Sequence, residues 1–225
     1  MRKWGIVISV FYAVIVVGLL LPAAIPLSAA AAPFSSEFYE SLRDMYSWWQ
    51  TWVPIAAVLA GQATLLFLSV DTSFKKLKPR AHIAVSVTIA SMLVAMLAVA
   101  AFYCVDAAVR GDKFGDSYNL GTTAGLFGLW AALWVLWGVV FYLYFRNSGQ
   151  VTERAVSWLL KGSVLELLIA VPCHVIVRRR HDCSAPVVTS FGIVTGIAVM
   201  LLCFGPSVLF LFKKRLDAYS AHKSA

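Results

Sequence analysis

At 225 residues, 60% of them hydrophobic and 13% charged, with a mean hydropathy of +0.80, the chain carries about half the charge of an ordinary soluble domain. A water-soluble fold is excluded, because no interior of this size could hide so much apolar surface. The formal charge of +8 does not point to nucleic acid: the basic residues sit in short clusters at the ends of apolar runs, where topogenic charge belongs, rather than in a basic domain.

Runs of roughly 20 apolar residues cross a bilayer as helices, and the runs here lack the alternation of barrel strands. The first extends from Trp4 to about Ala31 after Arg2 and Lys3. Its basic start and the small residues Ser28, Ala29 and Ala30 also fit a secretory signal, but the run exceeds a signal core, favouring a retained helix broken near Pro22 and Pro26. A polar link with Glu37, Glu40, Arg43 and Asp44 leads to the second run, Trp48 to Val70, which opens on an aromatic belt of Trp48, Trp49 and Trp52. Lys75, Lys76, Lys78 and Arg80 form a basic link before the third, His82 to Val105.

Asp106, Asp112 and Asp116 precede the fourth run, Leu120 to Phe145. Gly121, Gly125 and Gly128 open it at spacings that permit close helix approach, and Trp130, Trp134 and Trp137 form a stripe that reads as packing or lipid contact rather than a cofactor cradle. The fifth, Ala155 to Val177, is interrupted by Lys161 and Glu166, and its uninterrupted part from Leu167 is too short to span alone. The sixth, Val187 to Phe212, carries Gly192 and Gly196 in GxxxG spacing and a Gly205–Pro206 break, and Lys213, Lys214 and Arg215 close it. The expected fold is therefore an all-α polytopic transmembrane bundle of six helices, with five plus one re-entrant or interfacial segment as the alternative. It forms one domain over 1–215 with a short polar tail at 216–225.

With the N-terminus in the cytoplasm, the first four segments obey the positive-inside rule, as expected for a multi-pass protein of a prokaryotic inner (plasma) membrane. Arg178, Arg179 and Arg180 create a conflict. They lie outside if the fifth segment crosses and inside if it does not, and counting Lys and Arg barely separates the two arrangements. Six helices are preferred because the arginines then share the external side with Glu37, Glu40, Asp44, Asp106, Asp112, Asp116 and Asp182.

Candidate chemistry gathers between Lys161 and Cys183. Ionisable residues inside membrane segments are costly and suggest function. Lys161 and Glu166, five residues apart, project about 140° from each other and cannot pair. Lys161 is near enough to the segment start to snorkel; Glu166 either fixes packing or holds a proton or cation. Cys173, His174, His181 and Cys183 offer zinc-type ligands without the tight CxxC spacing of a specific site, and Cys104, Cys173 and Cys183 are candidates for a disulfide. Haem does not fit within one chain, because His82, His174, His181 and His222 supply no pair at equal depth, and a ligand from another subunit would be needed. The three arginines suit an anion or lipid headgroup, or pair with the acidic loops.

No Walker sequence, GxGxxG, GxSxG or HExxH occurs, so the sequence offers no enzyme motif. The leading expectation is a non-catalytic accessory or scaffold subunit, working through helix contacts with membrane lipids and a membrane protein partner or a second copy. The alternatives are a small oligomeric transporter or channel using Glu166 and Arg178–Arg180, and a metal or thiol site at Cys173, His174, His181 and Cys183.

Overall fold

The computed structural model describes residues 2–28, 34–74, 79–111, 113, 120–145, 151–181 and 185–223. In chain order the elements are α1 (Arg2–Ile15), a π-helical turn (Val16–Leu20), α2 (Leu21–Ser28), α3 (Ser36–Ser47), α4 (Trp49–Phe74), α5 (Pro79–Arg110), α6 (Leu120–Phe145), α7 (Val151–Arg179) and α8 (Ala185–Lys223), with no strand among the described residues. Six stretches are long and apolar enough to cross a membrane: Gly5–Ser28, Trp49–Leu68, Ile83–Arg110, Ala124–Phe145, Val151–Arg179 and Ala185–Ser207. The protein is an all-α, multi-pass membrane bundle.

The fifth segment is a full helix, and two contacts along it give its direction. Near its start Thr152 Oγ1 lies 3.3 Å from Ser86 Oγ, and beyond its end Arg180 donates to the Ala108 carbonyl at 2.7 Å. Ser86 and Ala108 sit near opposite ends of α5, so α7 runs parallel to α5 through the whole bundle. Lys161 and Glu166 do not interrupt the helix, because one is exposed and the other buried, on the separate faces their spacing dictates. The two parallel helices also stop alike. The chain leaves α5 through Gly111 at φ 59° and α7 through His181 at the same φ, the left-handed conformation that ends many helices.

The prolines act differently from expectation. Pro22 and Pro26 do not break the first segment. It widens instead into the π turn, with the Leu21 N–H reaching the Val16 carbonyl, before helix resumes; such a turn absorbs the backbone bond that a following proline cannot make. Pro206 likewise lies inside α8 without ending it, and next to it Ser207 Oγ donates to the Cys203 carbonyl at 2.7 Å. Because α8 continues to Lys223, the segment expected to be a polar tail is mostly helix.

The polar link before α4 is also helical. Ser35 caps α3, its Oγ accepting from the Phe38 N–H at 3.2 Å. Glu37, Glu40 and Asp44 recur at helical spacing on one side and Phe38, Leu42 and Met45 on another, the pattern of an interfacial helix. Tyr46 ties it down, its hydroxyl donating to the Val17 carbonyl, and Trp52 Nε1 donates to the Tyr46 carbonyl at 2.9 Å. Partial burial pushes the Tyr46 phenol above its usual pKa, so it remains a donor.

The main core joins Tyr12, Leu65, Leu93, Phe141, Leu159 and Val199 from all six spans, and the Tyr12 hydroxyl donates to the Ala198 carbonyl at 2.7 Å. α6 is peripheral: 6% of its span is buried, against 50% for those of α5 and α8. Its extended packing is against α5, where Trp130 Nε1 and Trp134 Nε1 donate to the Met92 and Thr88 carbonyls at 3.1 and 3.0 Å. The tryptophan stripe therefore serves packing, with the indole N–H groups as pins.

Candidate functional site

Gly192 and Gly196 lie one helical turn apart on the face of α8 that meets α7, and their missing side chains leave a notch. Glu166 fills it. A Cβ on Gly192 would overlap the Cys104 sulfur and come within 3.4 Å of Glu166 Oε1 and 3.6 Å of the Ala170 Cβ. A Cβ on Gly196 would overlap Glu166 Oε2 and approach Leu167 Cγ to 2.8 Å. No other residue type fits at Gly196 without moving the carboxyl or the helix.

Glu166 is 2% exposed, and among the described residues neither carboxyl oxygen has a hydrogen-bond partner. The other side chains that border the notch at the two glycines are the Cys104 thiol and the hydrocarbon of Ala170 and Leu167. A buried carboxyl without donors is expensive, and far more so when ionised; interiors normally satisfy such groups, so an exception needs an explanation. Ser163, one turn earlier on the same face, spends its hydroxyl on the Leu160 carbonyl at 2.9 Å.

One, two and three turns beyond Glu166, Ala170, Cys173 and Val177 form a second, smaller core cluster with Cys104, Ala107 and Ala185. Beside it His174 Nδ1 stands 2.8 Å from Thr189 Oγ1, and the Thr189 hydroxyl in turn reaches the Ala185 and Pro186 carbonyls at 3.3 and 3.2 Å. A hydroxyl that donates to a carbonyl must accept from the imidazole, which puts the His174 proton on Nδ1. Cys104, Cys173 and Cys203 are free and buried. Cys183 lies outside the described residues, so the disulfide and four-ligand readings that include it do too. Among the described residues no three of His, Cys, Asp and Glu come together as metal ligands, and His181 is exposed beyond the end of α7 while His174 is turned to Thr189.

Arg178, Arg179 and Arg180 are exposed. The contact described for Arg180 is a carbonyl rather than a carboxylate: it covers Ala108 in the last turn of α5, where helix carbonyls lack intrahelical donors and the dipole is negative. Asp106 pairs instead with Arg110 of its own helix at 2.7 Å. Asp112, Asp116 and Asp182, the other expected counter-charges, lie outside the described residues. Gly192 and Gly196 thus join two helices of this chain, whereas a Cβ on Gly125 or Gly128 would meet nothing within 4 Å. Gly121 opens α6 with its surroundings outside the described residues.

Sequence spacing places Glu166 opposite Lys161, but it does not bring Glu166 to the two glycines, since that depends on how α7 and α8 pack. Nor does it pair His174 with Thr189, although a histidine and a threonine flanking a tight interhelical link are a usable signal. Compared with protein-family models, curated proteins and solved structures, the chain finds no significant match.

Proposed function

We propose that the protein is a non-catalytic component of a cell membrane, with its N-terminus cytoplasmic, in which the Glu166 carboxyl binds and releases a proton. The burial of both Glu166 oxygens without a partner among the described residues carries this reading, because intramembrane ionisable groups that fold stability does not require are the usual sites of function. A proton suits the notch better than a metal cation. Hard cations demand several oxygen ligands, and the groups described around the carboxyl are glycine backbone, a thiol and the Ala170 and Leu167 side chains. The orientation is supported by the basic link at 75–80, which six crossings put at the same end as Arg2, Lys3 and Lys213–Arg215.

The proton site belongs to an accessory role in an assembly. α6 presents an apolar outer face with Val135, Leu136, Val139 and Leu143 exposed and Gly125 and Gly128 open, a surface on which a membrane partner or a second copy can pack closely. A purely structural reading is favoured by one observation, the close fit of Glu166 against Gly196: there the carboxyl is a packing wedge and its titration is irrelevant.

Labelling with a hydrophobic carbodiimide, which modifies protonated carboxyls, separates the two. In membranes modification is expected at Glu166, in a yield that falls as pH rises, and none in Glu166→Gln. A yield that does not change with pH, or no modification of Glu166 at any pH, supports the wedge alone.

A further inference from the structure

A cavity of about 740 Å³ opens in the half of the bundle where α3 lies, walled by α4, α5, α6 and α8. That volume is within the range of small-molecule sites. Its wall is mainly hydrocarbon, including Ile55, Val58, Met96, Val99, Val194 and Ala198, with Thr195 and Tyr103 as polar side chains among them, and Asp44, Gln50 and Thr51 form a polar group at the α3–α4 joint. A mainly apolar interior with a polar rim is the complement of an amphiphile.

The rim specifies the head. Asp44 ends the acidic row of Glu37, Glu40 and Asp44 on α3, and among the described residues no basic group pairs with it. The rim also contains a backbone acceptor without its usual donor. Pro54 lies inside α4 and has no N–H to offer the carbonyl of Gln50 four residues earlier, and both residues line the cavity. A carboxylate and a carbonyl that lacks its helical partner both call for a donor, and a protonated amine supplies charge and donors together. An acid or phosphate head without an amine would meet repulsion there.

We infer that the cavity between α4, α5, α6 and α8 binds an amine-headed membrane amphiphile, its chain reaching down toward Val58 and Ala198 and its ammonium group held at the rim by Asp44 and the Gln50 carbonyl. α3, tied by Tyr46 and Trp52, closes over the head as an interfacial helix. This site lies on the other side of the α8 backbone from Glu166, with Gly192 between them, and does not depend on the proton reading.

The test uses the full chain in phosphatidylcholine vesicles with a long-chain alkylamine carrying a mid-chain diazirine, compared with the alcohol of the same length. Crosslinks are read by peptide mass spectrometry and normalised to those on the lipid-facing residues Val135 and Leu136. The amine is expected to label the segments around Met96–Tyr103 and Phe191–Ala198 about tenfold more than the alcohol, the ratio a charge-assisted hydrogen bond gives. Asp44→Asn, at an exposed side chain, should bring the amine down to the alcohol's level and leave the alcohol unchanged. Ala100→Trp, which fills the cavity, should abolish both, and Thr195→Phe repeats that test if the first variant does not fold. Equal labelling by amine and alcohol, indifference to Asp44→Asn, or crosslinks confined to the outer face of α6 would each overturn the assignment.

Discussion

α6 and the α7–α8 pair show two opposite uses of small residues in a membrane helix. On α6, Gly125 and Gly128 face open space and the helix is held by two indole donors to α5. On α8, Gly192 and Gly196 are filled from across the interface, and what fills them is a carboxylic acid. A similar sequence signal, glycines three or four apart in an apolar run, therefore marks a vacant surface in one region and an occupied notch in the other. A glycine pattern gives the capacity for close approach, and the partner's side chain decides what the approach is for.

The largest expected effect sharpens that contrast directly. Gly196→Leu must displace Glu166 and Leu167, and should cost about 3 kcal/mol or abolish folding, whereas Gly125→Leu should stay within about 0.5 kcal/mol in a monomer. Reversible unfolding in mixed micelles reads both. Equal costs at the two positions would mean that the notch is not specific to α7 and α8.

Glu166→Leu comes next. It keeps the bulk of the side chain and removes two unpartnered oxygens, so stability should rise by about 1–2 kcal/mol. A loss of that size would instead show that the carboxyl has partners and belongs to the packing. Stabilisation on removal is the mark of a group kept for work rather than for folding.

The all-α polytopic class, the apolar runs and the separation of Lys161 from Glu166 follow from hydropathy and the helical period, because the bilayer sets the length of a span and 100° per residue sets its faces, whereas the fifth run leaves six crossings against five open. The α3 helix is readable too, from Ser35 followed by two interleaved stripes, once the link is treated as interfacial. The direction of α7 is not readable, since Arg178–Arg180 sit where simple charge counting is ambiguous. It takes the Arg180 contact with the end of α5 to show why basic side chains are useful there. The cavity is also invisible in the sequence, because its walls come from elements far apart in the chain.

A smaller effect tests the parallel ends of α5 and α7. His181 holds at φ 59° a conformation that Gly111 adopts without strain, so His181→Gly should stabilise by about 1 kcal/mol, measured by the same unfolding. No gain would place the end of α7 in another conformation. The smallest concerns the α6 pins: Trp130→Phe should cost about 0.6 kcal/mol, the average for an interhelical hydrogen bond in a bilayer, and in a double variant Trp134→Phe should add to it.

The central claim is that Glu166 exchanges a proton, and infrared spectroscopy of the protein in lipid tests it without a partner or a ligand. A proton-exchanging Glu166 gives a carbonyl stretching band of a protonated, non-hydrogen-bonded carboxyl that is missing in Glu166→Gln and declines reversibly as pH rises. A band that persists unchanged across the pH range, or no difference between the two proteins at any pH, would contradict it.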